Sequence, residues 1–159
     1  MQGFATYTSQ YGPLRLDWLD DAIVRLHIVT QSDYEQDGAG EPTALTDDTF
    51  DQLQRYFAGT LRQFTVPIAF TSGTPFQRTV WQALREIPYG KTRTYAQVAQ
   101  AVGRPKAVRA IGSANNRNPL PILVPCHRVV GSGGAMVGYA YGVEMKRALL
   151  QMEMQSQLG

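Results

Sequence analysis

RTYAQVAQAVGRPKAVRAIGSANN, residues 93–116, places two short runs with apolar stripes on either side of a Gly103-Arg104-Pro105 turn. Thr94 can cap a helix over YAQVAQAV, with Gly103 just past its end, and Pro105 can start a second over KAVRAIGSANN. Two short helices so joined have helix-turn-helix proportions, although an ordinary αα-corner has them too. The composition of the second helix weighs toward the first reading. Val108 and Ile111 can face inward, while Ala107, Ala110, Gly112, Ser113 and Ala114 leave the rest nearly bare. Gly112 costs about 1 kcal/mol of helix propensity against alanine, and close approach to another backbone is a reason to keep it. From this low surface projects one long cation, Arg109, which can pair with an acid of its own chain or reach into a duplex.

Downstream lies PILVPCHRVVG, residues 121–131, with the chain's single cysteine, Cys126, beside His127, one of two histidines. Ile122, Leu123 and Val124 are apolar and β-favouring, so the cysteine is expected at the end of a buried strand. A thiolate is the reactive form and a free thiol has a pKa of about 8.5, so reactivity at neutral pH requires a cation, an imidazole or a helix N-terminus nearby. Adjacent residues on a strand point to opposite faces. His127 therefore assists Cys126 only if the chain turns at Pro125 or a water bridges the pair. An inert buried cysteine is the competing reading. A Cys-His protease would need a second histidine to reach the thiol. The other one, His27, sits in VRLHIVT and reads as a satisfied or half-exposed strand residue. One Cys and two His also fall short of a structural zinc set.

Upstream, Thr74-Pro75 reads as an N-cap and first turn, opening a helix FQRTVWQALREI with Phe76, Val80, Leu84 and Ile87 on one stripe and Pro88-Tyr89-Gly90 at its end. The first thirty residues alternate as strands (FATYT, PLRLDWL, AIVRLHIVT) in an antiparallel meander. Residues 31–43 are polar and read as a mobile loop. Thr46 is expected to cap a helix FDQLQRYFAG with Phe50, Leu53 and Phe57 on one face, and FTVPIAF follows extended. The boundary falls near TSGTP, giving domains 1–72 and 73–159.

At 159 residues, 43% apolar and 18% charged, the chain fits one domain or two small ones. No window has the apolar length of a membrane span, and MQGFATYTSQYG lacks the features of a signal peptide. With a lone cysteine, these points favour a reducing, intracellular, cytoplasmic setting. The net charge of +2 hides an asymmetry: four Arg against ten acids leave −6 over residues 1–74, and eleven Lys/Arg against three acids leave +8 over 75–159. Such a basic half suits a polyanion as partner, or simply a solvated face.

PCHRVVG, with NPLPILV before it and GYAYGVEMKRALL after it, resembles the O6-alkylguanine-DNA alkyltransferases, the methylated-DNA–protein-cysteine methyltransferases. The resemblance covers residues 73–153 closely, through TPFQRTVWQALREIPYGKTRTYAQVA and GRPKAVRAIGSANNRNP, and the N-terminal part loosely. It implies an α/β (α+β) chain: a small RNase H-like α/β domain with antiparallel strands, then a mainly helical, winged-helix-like helix-turn-helix domain that carries the cysteine.

The implied activity is direct-reversal DNA repair: irreversible, stoichiometric transfer of an alkyl group from O6 of a flipped guanine to Cys126, with O4 of thymine a second target left open. The resemblance assigns Cys126 as nucleophile and alkyl acceptor. His127 and Glu153 become a relay that withdraws the thiol proton through a water, Asn118 the brace of the turn, and Tyr95 a proton donor to the leaving guanine. Arg109 is the finger that fills the duplex; Ala110, Ser113, Thr94, Tyr95 and Arg128 complete the DNA-binding set. Pro121, Val129, Tyr139, Ala140 and Tyr141 line the base pocket. No cofactor or metal is implied. The implied partner is double-stranded DNA carrying O6-alkylguanine, entered from the minor groove by a monomer, with clustering on DNA left open. The chain departs from the family at Tyr141: GYAYG stands where many relatives have GYxGG, and a ring there narrows the space for bulky O6 groups.

Overall fold

The computed structural model describes residues 1–158, the side chain of Leu158 excepted, and the chain divides into two compact units at Thr71/Ser72.

The first unit is an antiparallel meander of β1 (Gln2–Ser9), β2 (Gly12–Leu19) and β3 (Ala22–Ile28), in that spatial order. Leu14 and Leu16 alternate inward on β2 as a half-buried strand requires. On β3 the buried residues are Ile23 and Leu26, three apart. The register shift opposite Asp17/Trp18 explains this, because a bulge inserts one residue and reverses the alternation. The 31–43 segment is not a plain loop. Thr30 Oγ1 accepts the Asp33 N–H at 3.0 Å and opens α1 (Gln31–Asp37). Helix α2 (Ala44–Phe57) is capped by Thr43, not Thr46. Thr46 instead closes the capping box, its hydroxyl accepting the Thr43 N–H at 2.8 Å. The inner face of α2 carries Thr49, Gln52, Leu53 and Tyr56. Phe50 and Phe57 are half-buried at its margins, Phe50 stacked on Tyr7 with centroids 4.5 Å apart.

The second unit opens with α3 (Pro75–Leu84), capped by Thr74 with Gln77 completing the box. After β4 (Arg93–Thr94) come α4 (Tyr95–Ala101), capped by Thr94 and Gln97, and α5 (Val108–Asn116). The turn through Pro105 runs on to Ala107, so α5 starts later than the proline suggests, and Val108 is 40% exposed, not inward. β5 (Val129–Val130) pairs parallel with β4, and α6 (Val143–Leu158) closes the unit. Val80, Trp81, Leu84, Ile111, Leu120, Val124 and Leu149 form its core. The Trp81 indole donates to the Ala114 carbonyl at 2.8 Å, tying α3 to α5.

Ile122–Val124 is not a strand. The Val124 N–H returns to the Leu120 carbonyl at 2.8 Å, and Ile122 has φ of 75°. A β-branched residue in that region costs about 1–3 kcal/mol, so burial of Leu120 through Val130 must hold it there.

Candidate active site

Cys126 lies 4% exposed at the start of a 3-10 turn, Cys126–Arg128, which follows directly on that tight segment. The chain thus does turn at Pro125, and His127 is not thrown to the opposite face as on a strand. Two asparagines hold the turn against α5. Asn118 donates from Nδ2 to the Val124 carbonyl at 2.9 Å and accepts the Leu120 N–H at 3.0 Å, so one side chain clamps both ends. Asn115, buried on α5, donates to the carbonyl of Cys126 itself at 3.2 Å. Burial pushes the thiol up to about 11, while Asn118 and the Lys146 cation pull it back. The resting group is therefore a protonated thiol, to be ionised only at the moment of attack.

His127 and Glu153 are both fully buried, with Nε2 and Oε2 2.7 Å apart. Burial opposes the charge on Glu153, but hydrogen bonds from His127 and Arg128 outweigh it and hold the carboxyl at about 2. Burial also pushes His127 down, with Arg128 and Lys146 adding to it against the pull of Glu153. A neutral imidazole facing a carboxylate places its proton on Nε2, which leaves Nδ1 as the basic nitrogen. Glu153 reaches this position from α6, and its Oε1 also accepts the Gly90 N–H at 3.0 Å. Only glycine suits position 90: φ is 75° and an added Cβ would lie 2.3 Å from the Gln157 side chain.

Arg128, implied as a DNA contact, turns inward instead. It is 7% exposed, with its guanidinium engaged on Glu153 and on the Ile87 carbonyl, so it offers no charge to a duplex. Pro121 and Val129 are likewise buried. Tyr95 is half-buried, its hydroxyl donating to the Val137 carbonyl at 3.2 Å. Burial first, then the neighbouring Cys126, keep the phenol protonated by raising its pKa. Gly138, with φ of 64°, brings the backbone so close that a Cβ would stand 3.1 Å from the Tyr95 hydroxyl. Tyr139 and Tyr141 are half-buried and meet edge to face at 6.1 Å, with Ala140 exposed between them.

On α5, Arg109, Ala110 and Ser113 are exposed, and Arg109 has no ion-pair partner among the described residues. Thr94 is half-exposed at the cap of α4.

Sequence reasoning passed over Lys146 and Asn115. Lys146 is fully buried; its Nζ donates to the Val129 carbonyl and, at 2.8 Å, to that of Val137. The available signal was spacing. Lys146, Leu149, Leu150 and Glu153 fall on one helical stripe, so both charges had to be inside with the leucines. No group of three or more metal-binding side chains occurs among the described residues, and none of their helices is long and apolar enough to cross a membrane.

Residues 75–155, about half of the chain, match the family described as 6-O-methylguanine DNA methyltransferase, DNA binding domain. A constitutive methylated-DNA–protein-cysteine methyltransferase of Bacillus subtilis is 45% identical over 160 residues, covering 96% of each chain. The chain belongs to the 6-O-methylguanine DNA methyltransferase family. A second methyltransferase of this name, from Methanosarcina acetivorans, is 57% identical over 102 residues, or 64% of this chain. There the shared stretch spans 65% of the relative's length, just under two thirds. Among solved structures, Mycobacterium tuberculosis OGT in complex with DNA superposes with a TM-score of 0.85 at 40% identity, covering 96% of this family member and 93% of that chain.

Proposed function

We propose that this protein repairs DNA by moving an alkyl group from O6 of guanine in a duplex to Cys126, once per molecule. The observation that carries this reading is a buried thiol on the turn that also bears His127, itself paired with Glu153 of α6, under a helix whose exposed face is mostly small residues around one arginine with no ion-pair partner among the described residues.

O6 of a paired guanine is shielded, so the nucleotide must leave the stack at a cost of a few kcal/mol. Arg109 offsets part of this cost by occupying the gap, and Ala110, Gly112 and Ser113 let α5 lie close to the sugar-phosphate walls, in the minor groove. His127 takes the thiol proton at Nδ1, through a water, and Glu153 steadies the imidazolium that forms. Sulfur then attacks the alkyl carbon; the S–C bond forms as the C–O6 bond breaks, and the electron pair leaves with guanine. The protonated phenol of Tyr95 donates to the departing base. The product is a thioether with no second cysteine to resolve it, so the protein is consumed. It acts as a monomer, and the setting is intracellular.

Cys126→Ser tests the reading. The variant should retain binding to a duplex containing O6-methylguanine and lose methyl transfer; transfer by the serine variant at the unsubstituted rate would refute it. A lesion-sensing binder with an inert thiol is excluded once the unsubstituted protein gains a methyl group.

A further inference from the structure

We infer that Arg128 is a positioning residue for the transfer step: its guanidinium fixes Glu153 as a carboxylate and so keeps His127 a neutral base protonated at Nε2. This rests on the alkyl-transfer reading above.

Arginine beside the cysteine motif is easily taken for a phosphate ligand, and the geometry gives it other work. Nε donates to Glu153 Oε1 at 2.9 Å and Nη2 to Oε2 at 3.1 Å, a side-on fork that only a guanidinium provides. Nη1 donates to the Ile87 carbonyl at 2.7 Å, and Cζ lies 5.6 Å from the Tyr89 ring centroid. With the His127 ring and the Gly90 N–H, Glu153 thus receives four donors in a fully buried site.

Counting charge in that site decides the protonation state. Arg128 is always a cation, and one carboxylate cancels it. A proton on His127 would then leave an uncompensated buried positive charge, facing Arg128 and Lys146. Without Arg128 the balance inverts: a buried carboxylate beside an imidazole draws a proton onto the ring, and an imidazolium cannot accept one from Cys126. The ionisable groups acting on His127 are Glu153 and Lys146 from α6 and Arg128 from its own turn. Helix α3 also packs against this turn, and its sole ionisable side chain, Arg78, is partly exposed. A merely structural clamp between Ile87 and α6 would affect stability and leave the ring's titration alone.

The test is nitrogen NMR of the imidazoles in the full chain, which has two histidines to assign, alongside single-turnover methyl transfer from O6-methylguanine duplex as a function of pH. In the unsubstituted protein His127 should hold the neutral Nε2-protonated form through the neutral range. Arg128→Met should move its titration midpoint up by about one pH unit or more, and the acid limb of the rate profile should move up with it. Arg128→Lys, which keeps the cation, should leave the titration in place even if the rate falls. An unchanged His127 titration in Arg128→Met, with the rate lowered equally at every pH, would overturn the proposal. If the methionine variant does not fold, a raised titration in Arg128→Lys would overturn it equally. Failure of the unsubstituted protein to transfer methyl would reject the alkyl-transfer reading, and the imidazole spectra would still decide the role of Arg128.

Discussion

Lys146 Nζ donates to the main-chain carbonyl of Val129, three residues beyond Cys126, and the same buried cation pulls the thiol down against burial. One ammonium on α6 therefore both shapes the segment after the cysteine and favours its ionisation. It also bonds the Val137 carbonyl, which places the loop carrying Tyr139 under the same control.

Lys146→Met should consequently do two things. The thiol should become harder to ionise, slowing its reaction with methylated duplex and with iodoacetamide by about tenfold at neutral pH, the loss of thiolate that follows when a pKa rises by about one. The buried Val129 carbonyl would lose its donor, costing about 1–3 kcal/mol, while the carbonyl of exposed Val137 can turn to water. Urea unfolding and alkylation rates measured on the same sample separate the two effects.

Arg109 is exposed and has no ion-pair partner among the described residues, so its truncation should spare folding. If it fills the gap left by the flipped base, Arg109→Ala should slow repair of a fully paired duplex by about tenfold to a hundredfold, the worth of about 1–3 kcal/mol of stacking. A mismatched target, already partly open, should recover much of that rate. Equal losses on paired and mismatched targets would argue for simple phosphate attraction.

Tyr141 meets Tyr139 edge to face, with ring centroids 6.1 Å apart. The pair should crowd large O6 substituents, so O6-benzylguanine should react more slowly than methylated DNA. Tyr141→Gly should speed the benzyl reaction and leave methyl transfer within about tenfold, since removing one ring contact is worth about 0.5–1.5 kcal/mol. A benzyl probe reacting as fast as methylated DNA with the native protein would contradict the crowding.

Acid should unfold this protein through its active site. Glu153 is held at about 2 against an ordinary 4.5, and His127 is pushed below its ordinary 6.5. Both groups bind fewer protons folded than unfolded, so each contributes stability at neutral pH that is lost on acidification. The loss should begin as pH falls through the ordinary histidine range and steepen from about 4.5 toward about 2. Glu153→Gln should be less stable at neutral pH, and its unfolding free energy should depend less on pH below about 5. Chemical denaturation across the acid range gives both slopes.

The two helices at the centre of the site were legible because their caps were local. Thr74 and Thr94 act as written in the sequence, and PCHRV marks the cysteine without help from the fold. What escaped depended on tertiary context. Ile122–Val124 has the composition of a strand, but Asn118 folds it into a turn by holding the Leu120 N–H and the Val124 carbonyl. Helix α1 was hidden because it has no apolar stripe and buries no residue; its only local signals were the caps, Thr30 before it and Gly38 after it. Lys146 and Arg128 read as surface charges by type; helical spacing with Leu149, Leu150 and Glu153 is the one sequence signal for the burial of Lys146, whereas that of Arg128 becomes visible only when α6 brings Glu153 against the turn. Charge that a sequence assigns to DNA is here partly spent inside the protein.

The most direct measurement is intact-protein mass spectrometry after mixing the protein with duplex DNA containing O6-methylguanine. A gain of one methyl group is expected, mapped by peptide digestion to Cys126, saturating at one equivalent and absent in Cys126→Ser. No gain in mass with the duplex still bound would contradict it, and would make Cys126 a structural residue in a protein that recognises the lesion without removing it.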